Sequence, residues 1–236
     1  STLDTNIIGT ANLLEEVKRL KFSSISSNYD PIVHVCSSSE VYGQVNPKDV
    51  PIKETNQFRP ASPYAVSKVG EDMLALQYHL SWNIRTIRTR MFTHTGPRRG
   101  SVFATSTFAK QIAEIEAGKR SPIVKVGNLD SIRTFLDVGD AVRAYWILAT
   151  KPCKTGEVYN IGGNETMTVG EMLEKLLKLS TRKDIVVEID PERLRPSDVT
   201  LQIPDTTKFR NETGWKPEIP FDKTLENLLN YWRNNL

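Results

Sequence analysis

Two hydrophobic periodicities alternate along this chain, and that alternation constrains its fold more than any other feature. Apolar residues spaced three and four apart predict helices over Asp4 to Arg19, Ala65 to Trp82, Phe103 to Ala117 (ended by Gly118) and Val138 to Thr150. Between them, short β-branched runs predict strands at Ile32 to Cys36, Arg85 to Arg90, Ile123 to Val126 and Glu157 to Ile161. Phe22 to Asp30 reads as a polar loop. Thr168-Val169-Gly170-Glu171 is a capping box that opens a helix carrying Met172, Leu173, Leu176 and Leu177. Ile185 to Glu188 reads as a further strand and Phe221 to Asn235 as a closing helix. No internal repeat interrupts the pattern. Strands that alternate with helices predict an α/β fold with a doubly wound parallel sheet. Segments that contact substrate are then interleaved with the sheet rather than set apart in a block.

The chain has 236 residues, 39% of them hydrophobic, which is enough to build a core. Its net charge is only +3 and its basic residues are dispersed, which argues against a nucleic-acid partner. No apolar run approaches the ~20 residues of a membrane span. Cys36 and Cys153 form no motif, which suits a reducing compartment, and His34, His79 and His94 are scattered with no metal-ligand spacing.

The chemistry concentrates in two segments. In Ser62-Pro63-Tyr64-Ala65-Val66-Ser67-Lys68, Tyr64 and Lys68 lie four apart on a predicted helix and so share one face. An ammonium beside a phenol favours the phenolate, a base able to take a proton from a sugar hydroxyl. Taken alone, the same spacing also suits a surface pair. Upstream, the strand at Ile32 runs into Ser37-Ser38-Ser39-Glu40-Val41-Tyr42-Gly43. That is the carboxyl end of a strand, where open α/β sheets bind ligands. A hydroxyl there can hold a substrate oxygen, and a carboxylate can serve as a second acid or base.

With the loop Arg90-Met91-Phe92-Thr93-His94-Thr95-Gly96-Pro97, these segments resemble the extended short-chain dehydrogenase/reductase family, which modifies nucleotide-linked sugars. The resemblance implies a Rossmann-like fold, with Ser38, Glu40, Tyr64 and Lys68 as catalytic residues. It also puts Tyr64, Lys68, Met91, His94, Arg98 and Arg99 on a nicotinamide cofactor, NADP in the first instance and NAD as the alternative. Asp4-Thr5-Asn6-Ile7-Ile8-Gly9-Thr10 is similar to a helix that follows several strands in the family, and no glycine-rich phosphate turn precedes it. The expectation is a chain lacking the N-terminal part of its nucleotide-binding half. On this reading 1–97 and 134–163 are the remainder of the dinucleotide-binding domain, while 98–133 and 164–236 bind the sugar nucleotide.

Three further segments resemble the GDP-mannose 4,6-dehydratases within that family: Gly96-Pro97-Arg98-Arg99-Gly100, Gly127-Asn128-Leu129-Asp130-Ser131-Ile132-Arg133 and Leu194-Arg195-Pro196-Ser197-Asp198-Val199. By that likeness Arg133, Arg195 and Asp198 contact the GDP moiety and Thr93 the sugar. Thr93 stands where the family usually has asparagine, and Thr107 where dehydratases tend to have lysine. The implied activity is conversion of GDP-mannose to GDP-4-keto-6-deoxymannose. Reductases acting on that product are the alternative, because Phe108 to Glu116 and Thr213 to Pro220 resemble them equally. A non-catalytic interaction module is a further alternative if the chain is natively short. The expected partners are a GDP-sugar and copies of the same chain, as homodimer or homotetramer, in the cytoplasm.

Overall fold

The computed structural model describes residues 1–23, 28–151, 153–194 and 199–236. The chain begins with a π-helical turn at Asp4–Ile8 that leads into α1 (Gly9–Lys21). After it come β1 (Val33–Ser38), α2 (Pro63–Trp82), β2 (Thr86–Met91), β3 (His94–Thr95) and α3 (Ala104–Glu116). Then follow β4 (Ile123–Val126), β5 (Ile132–Asp137), α4 (Val138–Thr150), β6 (Val158–Ile161) and β7 (Glu165–Thr168). The chain closes with α5 (Val169–Leu179), β8 (Val186–Ile189), β9 (Leu201–Gln202), α6 (Thr207–Thr213) and α7 (Phe221–Arg233).

Two compact units result. Unit 1 comprises Ser1–Phe92, Arg143–Ile161 and Pro204–Trp215; unit 2 comprises Thr93–Val142, Gly162–Ile203 and Lys216–Leu236. The changeovers fall at Phe92–Thr93 and inside α4 at Val142–Arg143, where the family resemblance implies 97–98 and 133–134. Residues 204–215 count with the first unit rather than the second.

Unit 1 is built on a parallel sheet in the order β1-β2-β6. A strand's side chains alternate between its faces. Val33 and Val35 therefore enter one layer with Leu14 and Val17 of α1 and Ala75 and Tyr78 of α2. His34 points the other way and meets the Tyr145 ring of α4 edge-on at 4.8 Å. Helices thus cover both faces, as in a doubly wound α/β sheet. Burying a side chain such as Leu14 or Val35 stabilises the layer by roughly 1.5–3 kcal/mol each.

Unit 2 has its own core, in which α3, α5 and α7 enclose β4 and β5. Phe135 and Phe221 stack there with centroids 4.8 Å apart. In this unit β5 pairs parallel with β3 and β9 and antiparallel with β7, and β4 pairs parallel with β8. The capping box is complete, since Thr168 Oγ1 accepts the Glu171 N–H at 3.0 Å and Glu171 Oε2 accepts the Thr168 N–H at 2.7 Å. Among the described residues no helix is long and apolar enough to cross a membrane.

Candidate functional site

Unit 1 gathers the four expected catalytic residues at the carboxyl end of β1 and the start of α2. The chain leaves β1 into a 3-10 turn at Ser39–Tyr42, capped by Ser38, whose Oγ accepts the Glu40 N–H at 3.2 Å. That places Ser38 and Glu40 on one tight turn, both half-buried. Gly43 ends the turn at φ 57°, and a Cβ there would lie 1.8 Å from the Arg59 carbonyl oxygen. Only glycine fits that approach, which accounts for the glycine after Val41-Tyr42.

Ser62 caps α2, its Oγ accepting the Ala65 N–H at 3.1 Å, and Pro63 occupies the first turn, where its missing N–H costs nothing. This brings the start of the helix forward to Pro63, two residues before the start expected from periodicity. Tyr64 therefore sits in the first turn, 43% exposed. One turn on, the Lys68 ammonium lies 5.7 Å from the Tyr64 ring centroid. It donates to the Cys36 carbonyl at 2.8 Å and to Glu71 Oε1 at 2.8 Å. Ser37 Oγ donates to the Lys68 carbonyl at 3.3 Å. Ser67 Oγ donates to the Tyr64 carbonyl at 2.7 Å. The end of β1 and the first turns of α2 are thus stitched together around the four residues.

Beneath them lies a buried polar network with no counterpart among the residues expected from sequence. Asp72 is fully buried and accepts from Arg88 at 3.0 Å and from Arg90 at 2.8 and 3.2 Å. Arg90 also donates to the Tyr42 hydroxyl at 2.9 Å and the Glu54 carbonyl at 2.9 Å, with its guanidinium 4.5 Å from the Phe58 centroid. Tyr42 in turn donates to Asn160 Oδ1 at 2.8 Å, and burial pushes its phenol up to about 12. The network ties α2, β2, β6 and the turn bearing Glu40 into one register. Two signals were available in the sequence: an acid four residues after Lys68, and arginines two apart on one strand.

Lys68 has three N–H donors, two of them used here, and the Tyr64 residue is open to solvent. One ammonium proton and one phenol on the same helical face match the hydroxyls of a ribose. The donor set of unit 1 therefore fits the nucleoside end of a nicotinamide cofactor. Met91 closes β2 as a buried residue.

The remaining expected residues lie in unit 2. Thr93 accepts the Leu136 N–H on its carbonyl at 3.0 Å, and His94 is half-buried in β3. Arg98 is exposed and takes φ 69°, while the Arg99 guanidinium stacks 3.5 Å from the Phe103 centroid. The Thr107 hydroxyl donates to the Ser101 carbonyl. Arg133 directs its guanidinium to the main-chain carbonyls of Ile132, at 3.0 Å, and Val199. Arg195 and Asp198 lie outside the described residues.

Unit 2 also holds a cavity of about 260 Å³ walled by Phe135, Asp137, Asn164, Glu165, Ile219 and Phe221. Two of its carboxylates are engaged in the fold. Asp137 accepts from the Gly139 N–H at 2.6 Å and the Thr224 hydroxyl at 2.7 Å, and Glu165 accepts the Phe221 N–H at 3.0 Å. Among the described residues no group of three His, Cys, Asp or Glu side chains could hold a metal ion.

Known proteins bear on this geometry. The family model described as GDP-mannose 4,6 dehydratase matches residues 1–228. The GDP-6-deoxy-D-mannose reductase of Pseudomonas aeruginosa is 33% identical over 235 residues, covering 100% of this chain and 74% of that protein. The GDP-mannose 4,6-dehydratase of Vibrio cholerae serotype O1 is 28% identical over 254 residues, covering 97% of this chain and 66% of that one. The chain is thus shorter than both relatives. Among solved structures, RMD from Pseudomonas aeruginosa complexed with NADPH superposes with a TM-score of 0.89 at 30% identity, over 99% of this chain and 75% of that one.

Proposed function

The chain belongs to the GDP-mannose 4,6-dehydratase family of extended short-chain dehydrogenase/reductases, and from that premise we propose that its protein dehydrates GDP-mannose to GDP-4-keto-6-deoxymannose. The observation that carries this reading is Glu40, held on the same turn as Ser38 beside the strand end that anchors Lys68. A 4,6-dehydration must break a C–H bond at C5 and a C–O bond at C6, which requires an acid/base group beyond the tyrosine. Reduction of a keto sugar has no such requirement. NADP as cofactor, a homo-oligomer and a cytoplasmic location accompany the proposal.

Each side chain then has a task. Tyr64 takes the proton of the C4 hydroxyl, with the Lys68 charge beside its ring. Ser38 donates a hydrogen bond to the oxygen that becomes the 4-ketone. Glu40 removes the C5 proton, now acidified by that ketone, and the same carboxyl protonates the C6 hydroxyl as it leaves as water. Tyr64 and Lys68 would hold a nicotinamide cofactor, which when bound would supply the reversible hydride chemistry that the reaction needs. C5 recovers a proton, so the sequence closes with one water lost and no net oxidation. The assignments of Arg133, Arg195 and Asp198 to GDP, of Thr93 to the sugar and of Met91, His94, Arg98 and Arg99 to the cofactor belong to the same proposal.

The reductase reading is kept because the P. aeruginosa reductase is 33% identical over the whole chain. Incubating the protein with GDP-mannose and a trace of NADP⁺, and following the sugar by NMR, separates the two. A new C6 methyl signal without cofactor consumption supports the dehydratase. Silence there, with NADPH consumed one-for-one on GDP-4-keto-6-deoxymannose, overturns it in favour of the reductase. Silence in both assays returns the non-catalytic module.

A further inference from the structure

Lys68 is not alone on its helical face. Glu71, three residues on, puts Oε1 2.8 Å from the ammonium, and the paired side chains are 15% and 7% exposed. A carboxylate that close, with so little water between, offsets much of the field the ammonium exerts on its surroundings. We propose that Glu71 is a positioning residue for the reaction, holding the Lys68 ammonium against the end of β1 and moderating the positive charge it presents to Tyr64. The inference rests on the catalytic assignment of Tyr64 and Lys68 made above.

Two features support it. First, the Lys68 ammonium is held from both sides, by the Cys36 carbonyl of β1 at 2.8 Å and by Glu71 of α2. Its nitrogen is therefore fixed relative to Tyr64 before any ligand arrives. Second, the charge balance is readable at a neighbouring group. The Cys36 thiol is pushed up chiefly by desolvation, with Lys68 pulling it down and Glu71 pushing it further up. Burial likewise raises the Glu71 carboxyl, with Lys68 opposing and Asp72 adding. Among the described residues, ionisable groups around the pair include Tyr64 and Asp72 on α2, Cys36 on β1, and Tyr145 on α4, whose phenol is raised by burial and by Cys36 and Tyr64.

Cys36 is an exposed residue even though its thiol is partly desolvated, and its alkylation reports this field without turnover. The experiment measures the pH dependence of iodoacetamide alkylation at Cys36 in the Cys153→Ser background, with and without Glu71→Gln. The isosteric amide removes the charge and keeps an acceptor. It is expected to move the alkylation curve down by about half a pH unit, a rise of about three-fold in rate on the thiol side of the curve. The acid limb of kcat/KM should move down with it, and Glu71→Asp, which keeps the charge, should restore most of both shifts. Unmoved curves would overturn the proposal.

If Glu71→Gln loses its native circular dichroism, carboxyl-carbon NMR of Glu71 gives a second reading. Lys68→Met should raise the pH at which that carboxyl titrates, and an unchanged midpoint would overturn the pairing. Failure of the functional reading has a separate signature. The wild type would turn over neither GDP-sugar, while the Cys36 curve would still test the placement of charge.

Discussion

Tyr64 and Lys68, the proposed catalytic pair, differ in their surroundings. The tyrosine is exposed in the first turn of α2, whereas the lysine is enclosed and held by Cys36 and Glu71. Replacing Tyr64 with phenylalanine removes the proposed proton acceptor while keeping the ring, and is expected to lower kcat at least about 100-fold. GDP-mannose affinity, measured by calorimetry, should be nearly unchanged. Asp72 acts at the same scale through stability. Its carboxylate is fully buried between Arg88 and Arg90, so Asp72→Asn leaves two guanidiniums short of charge. The expected loss is about 3–5 kcal/mol in urea unfolding. A loss under 1 kcal/mol would mean that the network contributes little. The Tyr64–Lys68 spacing was legible in the sequence because four residues is a helical repeat. Asp72 showed only its helical spacing from Lys68; its role was not legible, because its arginines come from a strand whose contact with α2 the sequence does not spell out.

At the scale of elements, β4 and α4 fall at the residues read from periodicity, Ile123–Val126 and Val138–Thr150. The strands β1, β2, β6 and β8 lie within two residues of the expected ends. What the pattern misses has a physical reason. β5, with Arg133, Thr134 and Asp137, is too polar to read as a buried run, because its polar groups are satisfied across the strand, as in the 2.7 Å Thr134–Thr166 hydroxyl pair. β3 and β9 span two residues each and α6 seven, too short for a period to emerge. The turn that carries Ser38 and Glu40 was legible in composition, but its geometry depends on Gly43. Gly43→Ala would drive a methyl into the Arg59 carbonyl, and we expect a loss of more than about 2 kcal/mol in thermal or urea unfolding. A stability equal to wild type would show that the turn relaxes freely.

For the molecule as a whole, the perturbed groups set an order of acid sensitivity. Burial depresses His34 from 6.5 to about 4, with its Nε2 2.9 Å from the Thr89 hydroxyl. A depressed histidine contributes stability that is present above its unfolded value. That contribution, about 3 kcal/mol at most, is lost as pH falls from about 6.5 towards 4. Two carboxylates act lower. In unit 1, Lys154 and Lys208 hold Glu157 down to about 2. In unit 2, against the cost of its burial, Arg233, Thr181 and Ser180 hold Glu116 down to about 2. Their stabilisation is complete above the ordinary carboxylate range and lost between about 4.5 and 2. Hydrogen exchange, corrected for intrinsic rates, should therefore rise in unit 1 peptides between pH 6.5 and 4, before it rises in unit 2. His34→Gln should abolish that early stage. Simultaneous loosening of both units would contradict the assignment.

Whether Glu40 carries out a dehydration at this turn can be read by running the reaction on GDP-mannose in D₂O and following the product by NMR. Deuterium is expected at C5 of GDP-4-keto-6-deoxymannose, because the proton taken there is returned from solvent. The C6 methyl should carry the hydrogen that began at C4, and Glu40→Gln should slow the whole conversion at least about 100-fold. Protium retained at C5, or turnover by the glutamine variant at the wild-type rate, would contradict it.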